Sequence, residues 1–209
     1  NSTMPNALFL VAAVVLAYLL GSVPFAMVSS RLFGLADPRS YGSKNPGATN
    51  VLRSGNKKAA IVTLLGDLAK GWLAVFLVQT YGSRFGLGSG AVTLVALAVF
   101  FGHLFPIFLN FRGGKGVATA AGVLLALDPL LGLATLGVWL LVAYTLRYSS
   151  LSALVAAATA PLIAFFLWGR DPLLAAVALI AMALIAKHWG NLQRLMAGMV
   201  IRLGFRIRE

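Results

Sequence analysis

No cysteine occurs among the 209 residues, only five side chains are acidic, and only two are histidine. The first absence excludes a disulfide framework, cysteine-ligated zinc, iron–sulfur clusters and a thiol nucleophile. The scarcity of the other two types leaves no convergent metal-ligand set at recognisable spacing, so neither a metal nor another cofactor is implied. A Gly-x-Ser-x-Gly elbow is also missing, which argues against a Ser-His-Asp hydrolase. Charged residues make up only 11% of the chain, against about 25% in soluble domains.

What is abundant is apolar surface. Hydrophobic residues account for 60% of the sequence and the mean hydropathy is +0.90, too apolar for a water-covered globule. The net charge of +12 suggests a nucleic-acid partner in a soluble domain. Here no stretch is polar enough to carry such a domain, so nucleic acid is set aside in favour of basic loops retained in the cytoplasm.

Seven apolar stretches approach the ~20 residues that cross a bilayer: 6–29, 59–80, 88–109, 117–128, 129–146, 150–168 and 172–190. Asp128-Pro129 divides the short fourth stretch from the fifth and predicts a tight turn there. The first stretch lacks a basic leader and is longer than the apolar core of a signal peptide, so it reads as a retained helix.

Placing the first connection in the cytoplasm puts 14 of 17 basic residues on that side. Among them are Arg31, Lys57 and Lys58 early in the chain, Arg147 later, and Arg202, Arg206 and Arg208 at the end. Arg84 and Arg170 fall opposite, and Lys70 falls within the second span. The expectation is an all-α integral membrane protein with seven transmembrane helices, N-terminus outside and C-terminus cytoplasmic. Residues 1–209 form one polytopic domain, with cytoplasmic loops at about 31–58 and 109–117 and a cytoplasmic segment from about 188. No internal repeat of the transporter kind is evident.

Polar residues concentrate in three segments, all on the expected cytoplasmic face. The first is Gly42-Ser43-Lys44-Asn45-Pro46-Gly47-Ala48-Thr49-Asn50, followed by Arg53. Its glycine and proline favour fixed non-helical backbone, and its hydroxyls, amides and cations suit an anionic, hydroxyl-bearing ligand. The second, Arg112-Gly113-Gly114-Lys115-Gly116-Val117-Ala118-Thr119, is a glycine-rich turn opening a helix. Such a turn offers backbone N–H groups and a lysine to phosphate. It lacks the P-loop pattern and a preceding strand. In the third, His188, Asn191 and Arg194 recur at i, i+3 and i+6, along one side of a helix. Trp189, Lys187 and Arg194 also fit a membrane-interface anchor.

Two features lie deeper. Asp67 and Lys70 fall one turn apart in the second span, about 13 and 18 Å along the helix from Lys58. Charges at such depth face a bundle interior in pairs, serving either a structural ion pair or a proton or substrate role. His103 is a lone histidine near the inner end of the third span and reads as a packing residue.

Gly42 to Asn50, the Gly102-His103-Leu104-Phe105-Pro106-Ile107-Phe108 stretch running into Gly113 to Thr119, and His188-x-x-Asn191-x-x-Arg194-Leu195 together resemble one family. It is the bacterial acyl-phosphate:glycerol-3-phosphate acyltransferases. Gly21-Ser22-Val23-Pro24-Phe25 and Gly66-Asp67-x-x-Lys70-Gly71 are similar to that family too. Two departures stand out: Met199-Val200 where the family commonly has glutamate, and Trp189-Gly190 in place of the charged residues that often follow the motif histidine.

The resemblance implies a bacterial inner-membrane enzyme with a cytoplasmic active site. It would move a fatty acyl group from acyl phosphate to the 1-hydroxyl of glycerol 3-phosphate, giving lysophosphatidic acid and phosphate in the first step of phospholipid synthesis. Its partners are these two substrates and membrane lipids. Ser43, Arg53, Lys115, His188 and Asn191 match the family's active site, while Asn45, Thr49 and Asn50 belong to its first motif. Lys115 and Gly113, Gly114 and Gly116, opening the helix with Thr119, are expected to hold one phosphate, and Lys44, Arg53 and Arg194 the other. His188 is one candidate base, and a phosphate oxygen of the bound substrate is the alternative. Two other classes remain open on residues alone, a transporter for a phosphorylated small anion and a noncatalytic scaffold.

Overall fold

The computed structural model describes residues 3–198, so the Met199-Val200 departure and Arg202, Arg206 and Arg208 lie outside the described residues. The described chain is all-helical: α1 (Thr3–Ser22), α2 (Phe25–Leu32), α3 (Ala48–Leu52), α4 (Lys57–Tyr81), α5 (Ser89–Leu104), α6 (Val117–Leu127), α7 (Pro129–Leu146), α8 (Ser149–Trp168), α9 (Leu173–Lys187) and α10 (Trp189–Met196). Four of the described helices, α4, α5, α7 and α8, are long and apolar enough to cross a membrane. The number is up to six if the bent pairs α1–α2 and α9–α10 each count as one span.

Local chemistry sets the boundaries. Asn56 caps α4 by accepting the Ala59 N–H at 2.9 Å. Asp128 ends α6 and starts α7 as expected, accepting from Leu130 N at 2.8 Å with Pro129 at the first helical position. Its other carboxylate oxygen accepts from Trp168 Nε1 at 2.9 Å, tying the turn to α8.

Three expected spans differ from the structure. The stretch at 6–29 breaks before Pro24 and bends by 43°, since proline has no N–H to continue the helical ladder. The stretch at 117–128 yields an 11-residue helix, about 16 Å long and roughly half the hydrocarbon thickness. The stretch at 172–190 ends at Lys187 and bends by 54° into α10, where polar Asn191, Gln193 and Arg194 leave no all-round apolar surface to continue a span.

Large apolar side chains such as Leu8, Leu140, Tyr144 and Phe166 lie exposed on the outside, as lipid solvation requires. The core between helices is built around Val75, Val95, Val99, Phe100, Val123 and Val177. Small residues bring backbones together where helices cross. A Cβ on Gly21 of α1 would stand 2.1 Å from the Val99 carbonyl oxygen of α5, and one on Gly122 of α6 would stand 2.0 Å from that of Leu68 in α4. Gly137 has nothing within 4 Å of such a Cβ.

Gly122→Ala therefore forces α4 and α6 apart and is expected to destabilise by about 1–3 kcal/mol, read as a lower melting temperature in detergent. Gly137→Ala should leave the melting temperature level or slightly raise it. Equal behaviour of the two variants would contradict this packing.

Candidate active site

The first polar segment is held by one buried side chain. The Asn50 amide oxygen accepts the Ser43 N–H at 2.9 Å, and its Nδ2 donates to the carbonyls of Pro38 at 2.6 Å and Tyr41 at 3.2 Å. All of those contacts close the loop on itself. Gly42 (φ +57°) fits because a Cβ there would meet the Asn50 Oδ1 at 2.3 Å, and Lys44 follows in the left-handed region as well (φ 56°). Earlier in the loop the Arg39 guanidinium grips Asp37, with Nη2 to Oδ2 at 2.7 Å, and this hydrogen bond holds the Asp37 carboxyl below its ordinary value.

The second segment rests on the end of α5. Gly113 N donates to Leu104 O and Gly114 N to His103 O, each at 3.2 Å. Those two N–H groups are thus engaged within the protein. What the turn presents outward is Lys115, immediately before Gly116 (φ +82°) at the start of α6. Thr119, one turn into α6, is buried against Gly71 of α4.

The third segment carries the convergence. Asn191 Oδ1 accepts from Lys115 Nζ and, at 3.0 Å, from Arg194 Nη2, while Asn191 Nδ2 donates to Ser150 Oγ at 2.7 Å. One neutral oxygen thus joins two cations from different segments. Burial, together with Arg194 and Arg53, pulls the Lys115 ammonium down to about 8.

His188 occupies the bend between α9 and α10 rather than the same helix as Asn191 and Arg194. Its ring is buried, and Nδ1 stands 2.8 Å from the Leu184 carbonyl oxygen. Since a carbonyl only accepts, Nδ1 carries the proton, and in the neutral ring Nε2 holds the free lone pair. The His188 carbonyl accepts from Asn191 N at 2.8 Å and Leu192 N at 2.9 Å, so this residue starts α10 and sets where Asn191 stands.

The start of α8 belongs to the site without carrying any sequence motif. Ser150 orients Asn191, and Ser149 Oγ lies 3.4 Å from Thr49 Oγ1. The available signal was two adjacent serines after Arg147 in a connection assigned to the same face. Lys187 is also drawn in, with its ammonium 4.4 Å from the Phe105 ring centroid.

These parts wall an open cleft of about 830 Å³. It gathers Ser43, Lys44, Asn45, Gly113, Lys115, Asn191 and Arg194 from the expected set, joined by Arg39, Arg112, Lys187 and Gly190. Thr49 and Arg53 are exposed outside the wall, while Asn50, Gly114, Gly116, Thr119 and His188 are buried around it. Of the wall residues only Asp37 is acidic, and Arg39 already neutralises it. Hydroxyls and amides among unneutralised cations fit a phosphorylated, hydroxyl-bearing ligand.

A family profile described as glycerol-3-phosphate acyltransferase matches residues 11–198. A glycerol-3-phosphate acyltransferase of Dechloromonas aromatica is 66% identical over 192 residues, covering 92% of this chain and 95% of its own. One from Ralstonia nicotianae is 58% identical over 201 residues, covering 96% and 97%. Among solved structures, the fold matches PlsY, an integral membrane glycerol 3-phosphate acyltransferase, in its glycerol 3-phosphate form. The TM-score is 0.86 with 37% identity, over 93% of this chain and 96% of that one. The lysophosphatidic acid form of PlsY matches with a TM-score of 0.84 and 36% identity, over 93% and 95%.

Because Lys115 loses its proton as pH rises through about 8, affinity for inorganic phosphate is expected to fall by about tenfold per pH unit above that point. Arg194→Gln removes one of the like charges that depress Lys115, and should move the break upward. Calorimetric titration across this range checks both, and a flat affinity contradicts the assignment.

Proposed function

Since the chain belongs to the glycerol-3-phosphate acyltransferase family, we propose that it moves a fatty acyl group from acyl phosphate to the 1-hydroxyl of glycerol 3-phosphate. The products are lysophosphatidic acid and phosphate, formed at the cytoplasmic face of a bacterial inner membrane. The observation that carries this reading is the meeting of Lys115 and Arg194 on Asn191 in a cleft shared with Ser43, Lys44 and Asn45. The bias of basic residues toward the connections that form the cleft supports the cytoplasmic placement.

An acyl phosphate is a mixed anhydride with a good leaving group, so no acyl-enzyme intermediate is required. The substrate hydroxyl oxygen attacks the carbonyl carbon, and the tetrahedral centre collapses as the bond from carbon to the phosphate oxygen breaks. The electron pair leaves with phosphate. Alignment of the two substrates supplies several kcal/mol, and each donor aimed at the developing oxyanion adds about 3–4 kcal/mol in favourable cases. Lys115 and the start of α6 hold one phosphate; Lys44 and Arg194 neutralise the other, and Arg53 adds positive charge from outside the cleft wall. Ser43 and Asn45 orient the reacting hydroxyl and carbonyl, while Asn50 and Thr49 act through the loop they hold.

The hydroxyl proton passes to a phosphate oxygen of the bound glycerol 3-phosphate. Two observations favour this substrate assistance over a histidine base. The His188 ring is buried outside the cleft wall, and its Nδ1–H is spent on the Leu184 carbonyl, bracing the bend from which α10 starts. Its role is to position Asn191.

With synthetic acyl phosphate and purified protein, phosphate release is expected to depend on glycerol 3-phosphate, and thioester donors are expected to give none. Lys115→Ala should cut kcat by about 100- to 1000-fold, and Asn45→Ala should also impair turnover. His188→Ala should lose rate without rescue by added imidazole. Full turnover in Lys115→Ala, or a silent His188→Ala, would overturn these assignments.

A further inference from the structure

A polar cluster that acyl transfer does not use lies directly under the glycine turn. Asp67 and Lys70 of α4 and His103 of α5 are all buried. Lys70 Nζ stands 2.8 Å from Asp67 Oδ1, and the same carboxylate oxygen is 3.4 Å from His103 Nδ1. Lys70 also donates to the Val23 carbonyl at 2.8 Å. That carbonyl is free for it because Met27 and Val28 both donate to Pro24 at the break between α1 and α2. A buried ion pair is weak evidence for stability by itself, since desolvation offsets its attraction. Its retention therefore calls for another account.

The upper side of the cluster gives one. The His103 carbonyl accepts the Gly114 N–H, and that of Leu104 accepts the Gly113 N–H. A Cβ on Gly114 would lie 2.3 Å from His103 Nε2 and 3.1 Å from the Pro46 carbonyl oxygen. The turn is laid on the imidazole, with the Pro46 carbonyl of the first loop packed beside it. The space left between these groups is about 10 Å³, about one water probe, so a shift of the ring is passed to the turn.

We propose that Asp67, Lys70 and His103 are positioning residues for Lys115. The ion pair fixes the His103 ring, the ring and its carbonyl fix Gly113 and Gly114, and the turn then sets where Lys115 meets Asn191. This inference rests on the reading of the cleft as a phosphate site for acyl transfer.

The test uses the full chain in detergent and measures melting temperature, inorganic phosphate affinity and kcat for each variant. In folded His103→Ala, affinity and kcat are expected to fall together by up to about 100-fold. Asp67→Asn should follow in the same direction, and His103→Asn, whose polar amide can face Asp67 in place of the imidazole, should recover part of the loss. In a Lys115→Ala background the same substitutions should cost nothing further. Wild-type affinity and turnover per folded molecule in His103→Ala, with only the melting temperature lowered, would overturn the proposal. So would losses that add to those of Lys115→Ala. If His103→Ala does not fold, Asp67→Asn is scored by the same criteria. If the wild type binds phosphate but transfers no acyl group, the acyl-transfer reading fails and phosphate affinity alone decides the positioning role. A wild type that binds no phosphate overturns both.

Discussion

The arrangement depends on two cations being held together by one neutral oxygen. Lys115 and Arg194 both donate to Asn191 Oδ1, and among the described residues no carboxylate intervenes. Lys115 is drawn down to about 8 by burial and by the neighbouring guanidinium groups. A carboxylate in place of Asn191 would relax the repulsion and cancel the field that an anionic ligand needs. An amide fixes the geometry and leaves the charge available.

Much of the surrounding architecture follows from having to keep such a cluster in place at the edge of an apolar bundle. Each polar segment is tied to a helix end by groups that do not face the cleft. Asn50 closes the first loop, the carbonyls of His103 and Leu104 seat the glycine turn, and the His188 carbonyl starts α10. Ser150 holds the back of Asn191. The close contacts of α1 with α5 and α4 with α6 give these anchors a rigid base. The Asp67–Lys70 pair extends the same logic inward, because its contacts reach His103 and through it the turn.

Much of this was legible in the residues. Apolar runs located the helices, Asp128-Pro129 located a turn that the Asp128 cap confirms, and the three polar segments do meet in one cleft. What was not legible came from tertiary contacts. The spacing of His188, Asn191 and Arg194 suggested one continuous helical side, yet the chain bends by 54° at His188. The glycines at 113 and 114 suggested free N–H groups for phosphate, whereas the end of α5 takes them. Asn50 looks like a ligand in a list of polar residues but is spent on backbone partners seven to twelve positions away. His103 stood alone in sequence because its partner Asp67 belongs to another helix. Ser149 and Ser150 carried no motif and gain their meaning only from Thr49 and Asn191.

The claim on which the account turns is that Lys115 is held at a depressed affinity for its proton until an anion arrives. Heteronuclear NMR of the Lys115 side chain, followed through pH in detergent-solubilised protein, addresses it directly. A midpoint of about 8 is expected without ligand, moving upward when inorganic phosphate is added. A midpoint near the ordinary lysine value of about 10.4, unmoved by phosphate, would contradict it.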